Sequence, residues 1–237
     1  MGMSSNLKSG WTFGIVCGPN RDYVRNIIES IKIQNIEKNE YEIILVGDSN
    51  NLFDFSEEKV KIIHFNESER KSWITRKKNL IAQNSSFDKI SMHHDYVSLD
   101  KDWFVNFQNF GNDWDVAMTR IENLDSTRFR DWVTWIDGLG EKIIQFMHYE
   151  DCNNTDKMYV SGSYFCVKTE FLLMNQFNED LCWGEGEDVE WSKRIRSFWK
   201  YRMNYRSIVR MQKMKHKWPP EKDPFGEWYL STRKSND

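Results

Sequence analysis

The first hundred residues alternate short apolar runs with stretches of helical periodicity, and this alternation constrains the fold more than any other sequence feature. Each apolar run ends in turn-forming residues and has the length of a buried strand. The helical stretches repeat apolar residues three and four positions apart, as at Val24, Ile27, Ile28 and Ile31. The pattern predicts strands at 11–18, 42–46, 60–65 and 89–92, and helices at 21–34 and 74–84. The chain is therefore predicted to be an α/β protein with a mostly parallel central sheet flanked by helices.

The second half is less regular, but it contains no repeat, low-complexity tract or linker, so a single domain is predicted. The polar and aromatic stretch 122–157 is interpreted either as a mobile loop over a site or as an excursion that binds a substrate. The other predicted elements are helices at 102–110, at 169–176 and from Asp188 onward, and strands at 115–121 and 159–167.

Composition excludes several classes of protein. Apolar runs stay far below the roughly 20 residues of a membrane-spanning helix, and the amino terminus lacks the pattern of a signal peptide. The four cysteines form no CxxC pair, so reduced thiols and a cytoplasmic location are predicted. Aromatic residues make up 15% of the chain, including 11 Trp. This excess fits stacking on rings or sugars and fits large core side chains equally well.

Charge is distributed unevenly along the chain. The segment 191–220 contains ten Lys or Arg and no Asp or Glu, although the net charge of the whole chain is −3. Such a segment favours a phosphate-bearing partner or peripheral contact with an anionic membrane surface, and the alternative is a solvated basic helix face. The sequence pI of about 6.0 argues against a nucleic-acid-binding module, so no nucleic-acid partner is predicted.

Polar turn residues follow three of the predicted strands. They are Gly18-Pro19-Asn20, Asp48-Ser49 and His94-Asp95. Ligands of open α/β sheets bind beyond the carboxyl ends of the strands, so these residues are predicted to converge on one crevice. The alternative is that Asp and Asn only close turns.

The motifs of several enzyme classes are absent. The sequence has no P-loop lysine motif, no GxGxxG after the first strand and no GxSxG elbow, which argues against kinases, dehydrogenases and α/β-hydrolases. The cluster His93-His94-Asp95 can hold a divalent ion that bridges two phosphates, or can merely end a strand.

A second cluster lies between Trp183 and Glu190 and contains four carboxylates beside two glycines. Carboxylates in the first turn of a helix are favoured by the helix dipole, which is one explanation for them. The other is a general base that deprotonates a sugar hydroxyl.

Taken in order, these motifs resemble those of GT-A-fold glycosyltransferases, most closely the inverting family-2 type. The resemblance covers about residues 11–218. It implies a Rossmann-like nucleotide-binding half at 11–100, an acceptor-binding half at 101–220, a flexible segment at 1–10 and a tail at 221–237. It also implies sugar transfer from a nucleotide-diphosphate donor, UDP or GDP, to a glycan or glycolipid acceptor, as in polysaccharide and lipopolysaccharide biosynthesis.

The resemblance implies a role for each matching residue. The expected nucleotide-binding residues are Gly18, Pro19, Asn20, Arg21, Asp48, Arg76, Asn79 and His94. The expected ligands of Mn²⁺ or Mg²⁺ are Asp95, His93 and His216, with His93 standing where the family has its first Asp. Asp188 is the expected general base, with Glu187 beside it. Gly162, Ser163 and Trp183 are the expected acceptor-binding residues.

Two rival functions stay open. A non-catalytic protein that binds nucleotides or carbohydrates would use the same Trp and Asp residues without a base. A sugar-1-phosphate nucleotidyltransferase would share the nucleotide-binding layout, but it needs a loop richer in Gly after the first strand than Cys17 to Arg21 provides.

Overall fold

The computed structural model describes residues 7–48, 52, 55, 59–138 and 141–215. The elements in that part of the chain are β1 (Lys8–Val16), α1 (Arg21–Lys32), β2 (Tyr41–Gly47), β3 (Val60–His64), α2 (Ile74–Asn84), β4 (Phe87–His94), β5 (Val97–Leu99), α3 (Trp103–Phe110), β6 (Val116–Glu122), β7 (Val133–Gly138), β8 (Glu141–Phe146), a 3₁₀ helix (Thr155–Lys157), β9 (Met158–Tyr159), β10 (Tyr164–Lys168), α4 (Thr169–Met174), α5 (Glu187–Ile195) and β11 (Tyr201–Met211). None of these helices is both long and apolar enough to cross a bilayer.

Eight strands form one sheet in the order β3-β2-β1-β4-β10-β6-β11-β5. The first four strands are mutually parallel. Strand β10 is antiparallel to both of its neighbours, β4 and β6, and β11 is parallel to β6. Six strands therefore run in one direction, and their carboxyl ends meet at one edge. This confirms the predicted α/β class with a central sheet flanked by helices.

Helices pack directly on the sheet because small and apolar residues face each other. The periodic residues of α1 are all buried, as the sequence predicts. At Gly14 in β1 an added Cβ would lie 2.3 Å from Cγ2 of Ile81 on α2, so only glycine allows this approach. Aromatic side chains fill much of the core, and Trp11 lies within 5.0 Å of the rings of Trp103 and Phe107. Most of the aromatic excess is therefore explained by packing.

Among the boundaries that differ from the prediction, three change the assignment of a whole segment. Strand β1 begins at Lys8, so the last three residues of the segment predicted as flexible belong to the sheet. The predicted strand 159–167 is two strands, β9 and β10, separated by a turn at Gly162 and Ser163. The last helix ends at Ile195, before strand β11.

Strand β11 accounts for the basic segment. Its residues alternate between buried and more exposed, as expected for a strand, and Arg210 forms ion pairs with Asp100 and Glu122. Before this strand, Arg194 pairs with Glu190. Part of the positive charge of this segment thus compensates acidic residues of the same fold.

The stretch 122–157 is largely structured. Strands β8, β7 and β9 form a second, antiparallel sheet. At its base the buried Asp131 pairs with the buried Arg128 at 2.7 Å and accepts a hydrogen bond from the Tyr149 hydroxyl at 2.8 Å. The Arg128 guanidinium also lies 4.2 Å from the centre of the Tyr149 ring. These contacts form a polar core, which we call the Asp131 network.

Candidate active site

A cleft at the carboxyl edge of the large sheet consists of two adjoining cavities that share His94 and Trp183. The smaller, of about 370 Å³, lies at the ends of β1, β2 and β4 and is called the strand-end cavity. The larger, of about 850 Å³, lies at the start of α5 and is called the helix-end cavity. The predicted residues in the strand-end cavity are Gly18, Pro19, Asp48, His94, Asp95 and Trp183. Those in the helix-end cavity are His94, Gly162, Ser163, Trp183, Glu187 and Asp188.

Asp95 is fixed across two strand ends. Its Oδ2 accepts a hydrogen bond from the backbone N–H of Gly18 at 3.0 Å. A Cβ at position 18 would lie 2.6 Å from that oxygen, so the close approach requires glycine. Burial raises the pKa of Asp95, and the Gly18 N–H and the ammonium groups of Lys213 and Lys77 oppose this shift.

Asp188 is held by a similar contact on the other side of the cleft. Its Oδ2 accepts from the N–H of Gly162 at 2.9 Å, and an added Cβ there would lie 2.8 Å from the same oxygen. Its Oδ1 accepts from the N–H of Val189 in the first turn of α5, where the helix dipole favours a carboxylate. The chain enters this helix through Gly186, whose φ of +76° lies in the left-handed region that favours glycine.

The buried Lys78 on α2 contacts the residues that hold Asp188 in place. Its Nζ donates to the carbonyl of Gly162 at 3.2 Å and lies 3.9 Å from Oε1 of Glu187. Burial lowers the pKa of Lys78, and the carboxylates of Glu187 and Asp188 oppose this; burial raises the pKa of Glu187, and Lys78 opposes that. Glu187 is thus a buried anchor of α5, whereas Asp188 is half-buried, and both carboxylates line the helix-end cavity.

His94 lies at the boundary of the cavities. Its Nδ1 is 3.2 Å from the Tyr96 hydroxyl, which lies 3.3 Å from Oγ of Ser163. Its Nε2 is buried and has no hydrogen-bond partner among the described residues. Burial and then the charge of Lys78 lower the pKa of His94 well below its usual value, so the imidazole is neutral. A buried ring nitrogen without a partner calls for an explanation, and a ligand in the cleft provides one.

His93 does not reach the cleft. It is fully buried, its Nδ1 donates to the carbonyl of Val97 at 2.9 Å, and its Nε2 lies 2.9 Å from Oγ of Ser91. Both ring nitrogens are occupied, and burial lowers the pKa of His93 to about 4. The structure therefore leaves His93 no nitrogen for the metal that the sequence analysis assigned to it.

Arg76 and Asn79 are also turned away from the cleft. Arg76 pairs with Glu179 at 3.1 Å, and the fully buried Asn79 exchanges hydrogen bonds with the backbone of Phe177 and donates to Glu179. The ion pair and the hydrogen bonds of these two residues link α2 to the segment before α5. The neighbouring residue Lys77 faces the strand-end cavity instead, where its Nζ donates to the carbonyl of Cys17 at 3.2 Å.

The remaining predicted residues fall into three groups. Asn20 caps α1 by accepting from the N–H of Tyr23, and Arg21 is the first residue of that helix. The Trp183 side chain is 59% exposed, which excludes the core-packing alternative for this residue. His216 and the tail 221–237 lie outside the described residues.

The donor set at the end of β4 does not fit a divalent ion. Mg²⁺ and Mn²⁺ prefer several oxygen ligands, mainly carboxylates. Asp95 is the carboxylate that β4 supplies, and one of its oxygens already accepts from Gly18. In the described part of the chain, no three His, Cys, Asp or Glu side chains come together as metal ligands do.

Sequence reasoning missed Lys77, Lys78 and Tyr96, and it did not separate Lys213 and Lys215 from the rest of the basic segment. The direction of β11 is the signal that could have identified Lys213 and Lys215. Strand β11 runs parallel to β6, so residues after it emerge at the same edge as Asp95.

Comparison with known proteins establishes the fold. No family model matches the sequence, and no curated protein matches it. Among solved structures, GalNAc-T7 with UDP, GalNAc and Mn²⁺ superposes with a TM-score of 0.64 at 13% identity over 88% of this chain and 44% of the other. S. aureus TarS 1–349 in complex with UDP-GlcNAc gives 0.62 at 13% identity over 88% and 60%, and TarS 1–349 alone gives 0.55 at 12% over 96% and 66%.

This chain has the GT-A fold, as the resemblance in the sequence predicts. It spans less than two thirds of the length of each of these neighbours.

Proposed function

We propose that the protein is a glycosyltransferase that moves a sugar from a nucleotide-diphosphate donor to a hydroxyl of a glycan or glycolipid acceptor, with inversion at the anomeric carbon. One observation carries the proposal. Asp95 and Asp188, more than ninety residues apart in the sequence, face two adjoining cavities with shared walls. The GT-A fold and the ligands named for its neighbours, UDP, UDP-GlcNAc and GalNAc, support the choice of substrate class.

The donor fits the strand-end cavity, with its base toward Asp48 and its diphosphate toward His94. The acceptor fits the helix-end cavity, where Trp183 offers an exposed ring for stacking on a sugar. Lys193 and Glu190 also line this cavity, so a polar acceptor matches its walls.

Asp188 is the proposed general base. Its carboxylate takes the proton of the acceptor hydroxyl as the oxygen forms a bond to the anomeric carbon. The bond between that carbon and the donor phosphate oxygen breaks, and its electron pair leaves with the nucleotide diphosphate. The hydrogen bonds from Gly162 and Val189 hold the carboxylate in one orientation while the proton moves.

The resemblance implies a divalent metal, but the donor set at the end of β4 does not fit one, so no step of this mechanism passes through a metal. Membrane association through the basic segment stays a prediction. If the protein does not pellet together with anionic vesicles at low salt, this prediction is wrong.

A substrate panel tests the function. UDP, GDP, CMP and their sugars are screened by thermal shift, with and without Mn²⁺, since a ligand that binds the native state raises its stability. Hydrolysis or transfer of any bound nucleotide sugar then separates an enzyme from a non-catalytic binding protein. Formation of a nucleotide sugar from a sugar phosphate and a nucleoside triphosphate would instead identify a nucleotidyltransferase.

Asp188→Asn tests the proposed base. We expect turnover to fall by about 10²–10⁴-fold, the usual contribution of general-base catalysis, while nucleotide binding changes little. Glu170→Gln is the control, because it removes an exposed carboxylate from the first turn of another helix. Unchanged turnover in Asp188→Asn would remove this residue from the mechanism.

A further inference from the structure

Two lysines that follow β11 converge on the end of β4. The Lys213 Nζ lies 3.9 Å from the centre of the Tyr96 ring, and the Lys215 Nζ lies 4.5 Å from the same ring. Tyr96 directly follows Asp95, and the N–H of Gln212 donates to the Tyr96 carbonyl at 2.8 Å. Backbone pairing and cation–π contacts therefore hold both ammonium groups at the strand end.

No carboxylate of the described residues forms an ion pair with either ammonium at 4.0 Å or less, and Asp95 is the acidic group whose charge acts on both lysines. Both side chains are half-buried. Burial, followed by repulsion from Lys213 and Arg130, lowers the pKa of Lys215. Two like charges on one ring are costly to hold together, and an anion between them would relieve that cost.

His94 adds a third group to this site. In the arrangement in which Ser163 donates to the Tyr96 hydroxyl and Tyr96 donates to Nδ1 of His94, the hydrogen of the neutral ring is on Nε2. That buried N–H has no partner in the part of the chain that the structure describes, and it lies at the wall shared by the two cavities. It provides a donor for a ligand oxygen.

Two carboxylates near this site are already engaged by other groups. Asp95 is a single carboxylate with one oxygen committed to Gly18. Glu67, another carboxylate of the strand-end cavity, is paired with Lys77. Lys71 and Lys77 line the strand-end cavity beside these carboxylates and Asp48, and Lys215 lines the helix-end cavity next to the shared His94.

We infer that Lys213 and Lys215, with the N–H of His94, neutralise the diphosphate of the donor in place of a divalent metal ion. The inference rests on the proposed function and assigns to this chain metal-independent binding of nucleoside diphosphates. Ammonium groups placed beside the leaving diphosphate would also stabilise the negative charge that it gains as the glycosidic bond breaks.

Isothermal titration calorimetry with UDP, GDP, CDP and ADP tests the inference. Each titration is run once in EDTA and once in MnCl₂. We expect the nucleoside diphosphate that binds to do so with nearly the same Kd in both buffers. Tight binding that requires Mn²⁺ would overturn the inference and leave the proposed function standing. If none of the four binds in either buffer, the proposed function itself fails, and the inference fails with it.

Variants assign the effect to the two lysines. In EDTA, the double variant Lys213→Ala/Lys215→Ala should bind at least about tenfold more weakly, as expected for lost hydrogen bonds between charged groups. Lys38→Ala/Lys101→Ala removes two exposed lysines outside both cavities and should bind as the wild type does.

Lys213→Arg/Lys215→Arg keeps both charges and should retain most of the affinity. Thermal unfolding of each variant checks that it is folded. Equal affinity of the folded alanine variant and the wild type would overturn the inference.

Discussion

The two sides of the cleft hold their carboxylates in the same way but are built differently. On each side a glycine N–H binds a carboxylate at a distance that leaves no room for a Cβ. The strand-end cavity is formed where parallel strands of the large sheet end. The helix-end cavity depends on the second sheet and on side-chain contacts between distant segments. The shape of the strand-end cavity follows from backbone pairing, whereas the shape of the helix-end cavity requires particular charged residues in the interior.

The largest expected effect tests whether the Asp131 network supports the second sheet. Asp131→Ala should lower the free energy of unfolding by about 3–5 kcal/mol, because it leaves the buried Arg128 without its partner. Urea denaturation measures the change. Asp156→Ala, which removes an exposed carboxylate from the same segment, is the control. A loss below about 1 kcal/mol, typical of an exposed pair, would show that the network does not hold this wall.

A pH dependence tests the neutral imidazole in the core of the large sheet, which contrasts with the charged Asp131 network beside the small sheet. His93 has a folded pKa of about 4, below the roughly 6.5 of an unfolded histidine. Between these values the unfolded state binds a proton that the native state does not, so stability falls as the pH falls. This residue should contribute up to about 3 kcal/mol of the loss between pH 6.5 and 4.

Denaturation of His93→Gln across this pH range isolates the contribution. The difference between wild type and variant should shrink as the pH falls from 6.5 to 4. His64→Gln, which replaces an exposed histidine of β3, should keep the full slope. A constant difference between wild type and His93→Gln would contradict the buried neutral imidazole.

The smallest effects come from a matched pair of glycine substitutions. Gly18→Ala should displace Asp95 and weaken binding of the nucleotide, whereas Gly162→Ala should displace Asp188 and lower turnover with little change in nucleotide affinity. Each added methyl meets a carboxylate oxygen and should cost about 1–3 kcal/mol, as overpacking does. Calorimetry and steady-state kinetics measure the two effects. If both variants lose the same property, the two sides do not have separate roles.

The sequence predicts the strand-end half well because that half depends on periodicity. The apolar spacing in α1 and the turn residues after β1, β2 and β4 locate the elements and the edge where the cleft lies. The order of motifs also leads to Asp95 and Asp188. These predictions need only local patterns and the rule that parallel strands end at one edge.

Other parts depend on contacts that local patterns do not encode. Arg76 and Asn79 were assigned to the nucleotide, but the segment before α5 occupies their polar groups and the intervening Lys77 faces the cavity. His93 is next to His94 in the sequence but lies in the core, because neighbouring residues of a strand point to opposite faces. The frequent arginines of β11 concealed this strand, since the acidic partners of Arg210 lie far away in the chain.

Because the two cavities share a wall, the binding of one ligand can affect the binding of the other. Any ligand that reorients the Trp183 ring changes the shape of both cavities. By thermodynamic linkage, if the donor changes the affinity for the acceptor by some factor, the acceptor changes the affinity for the donor by the same factor. One exposed indole thus offers a route to cooperativity between two substrates, without any movement of the sheet beneath them.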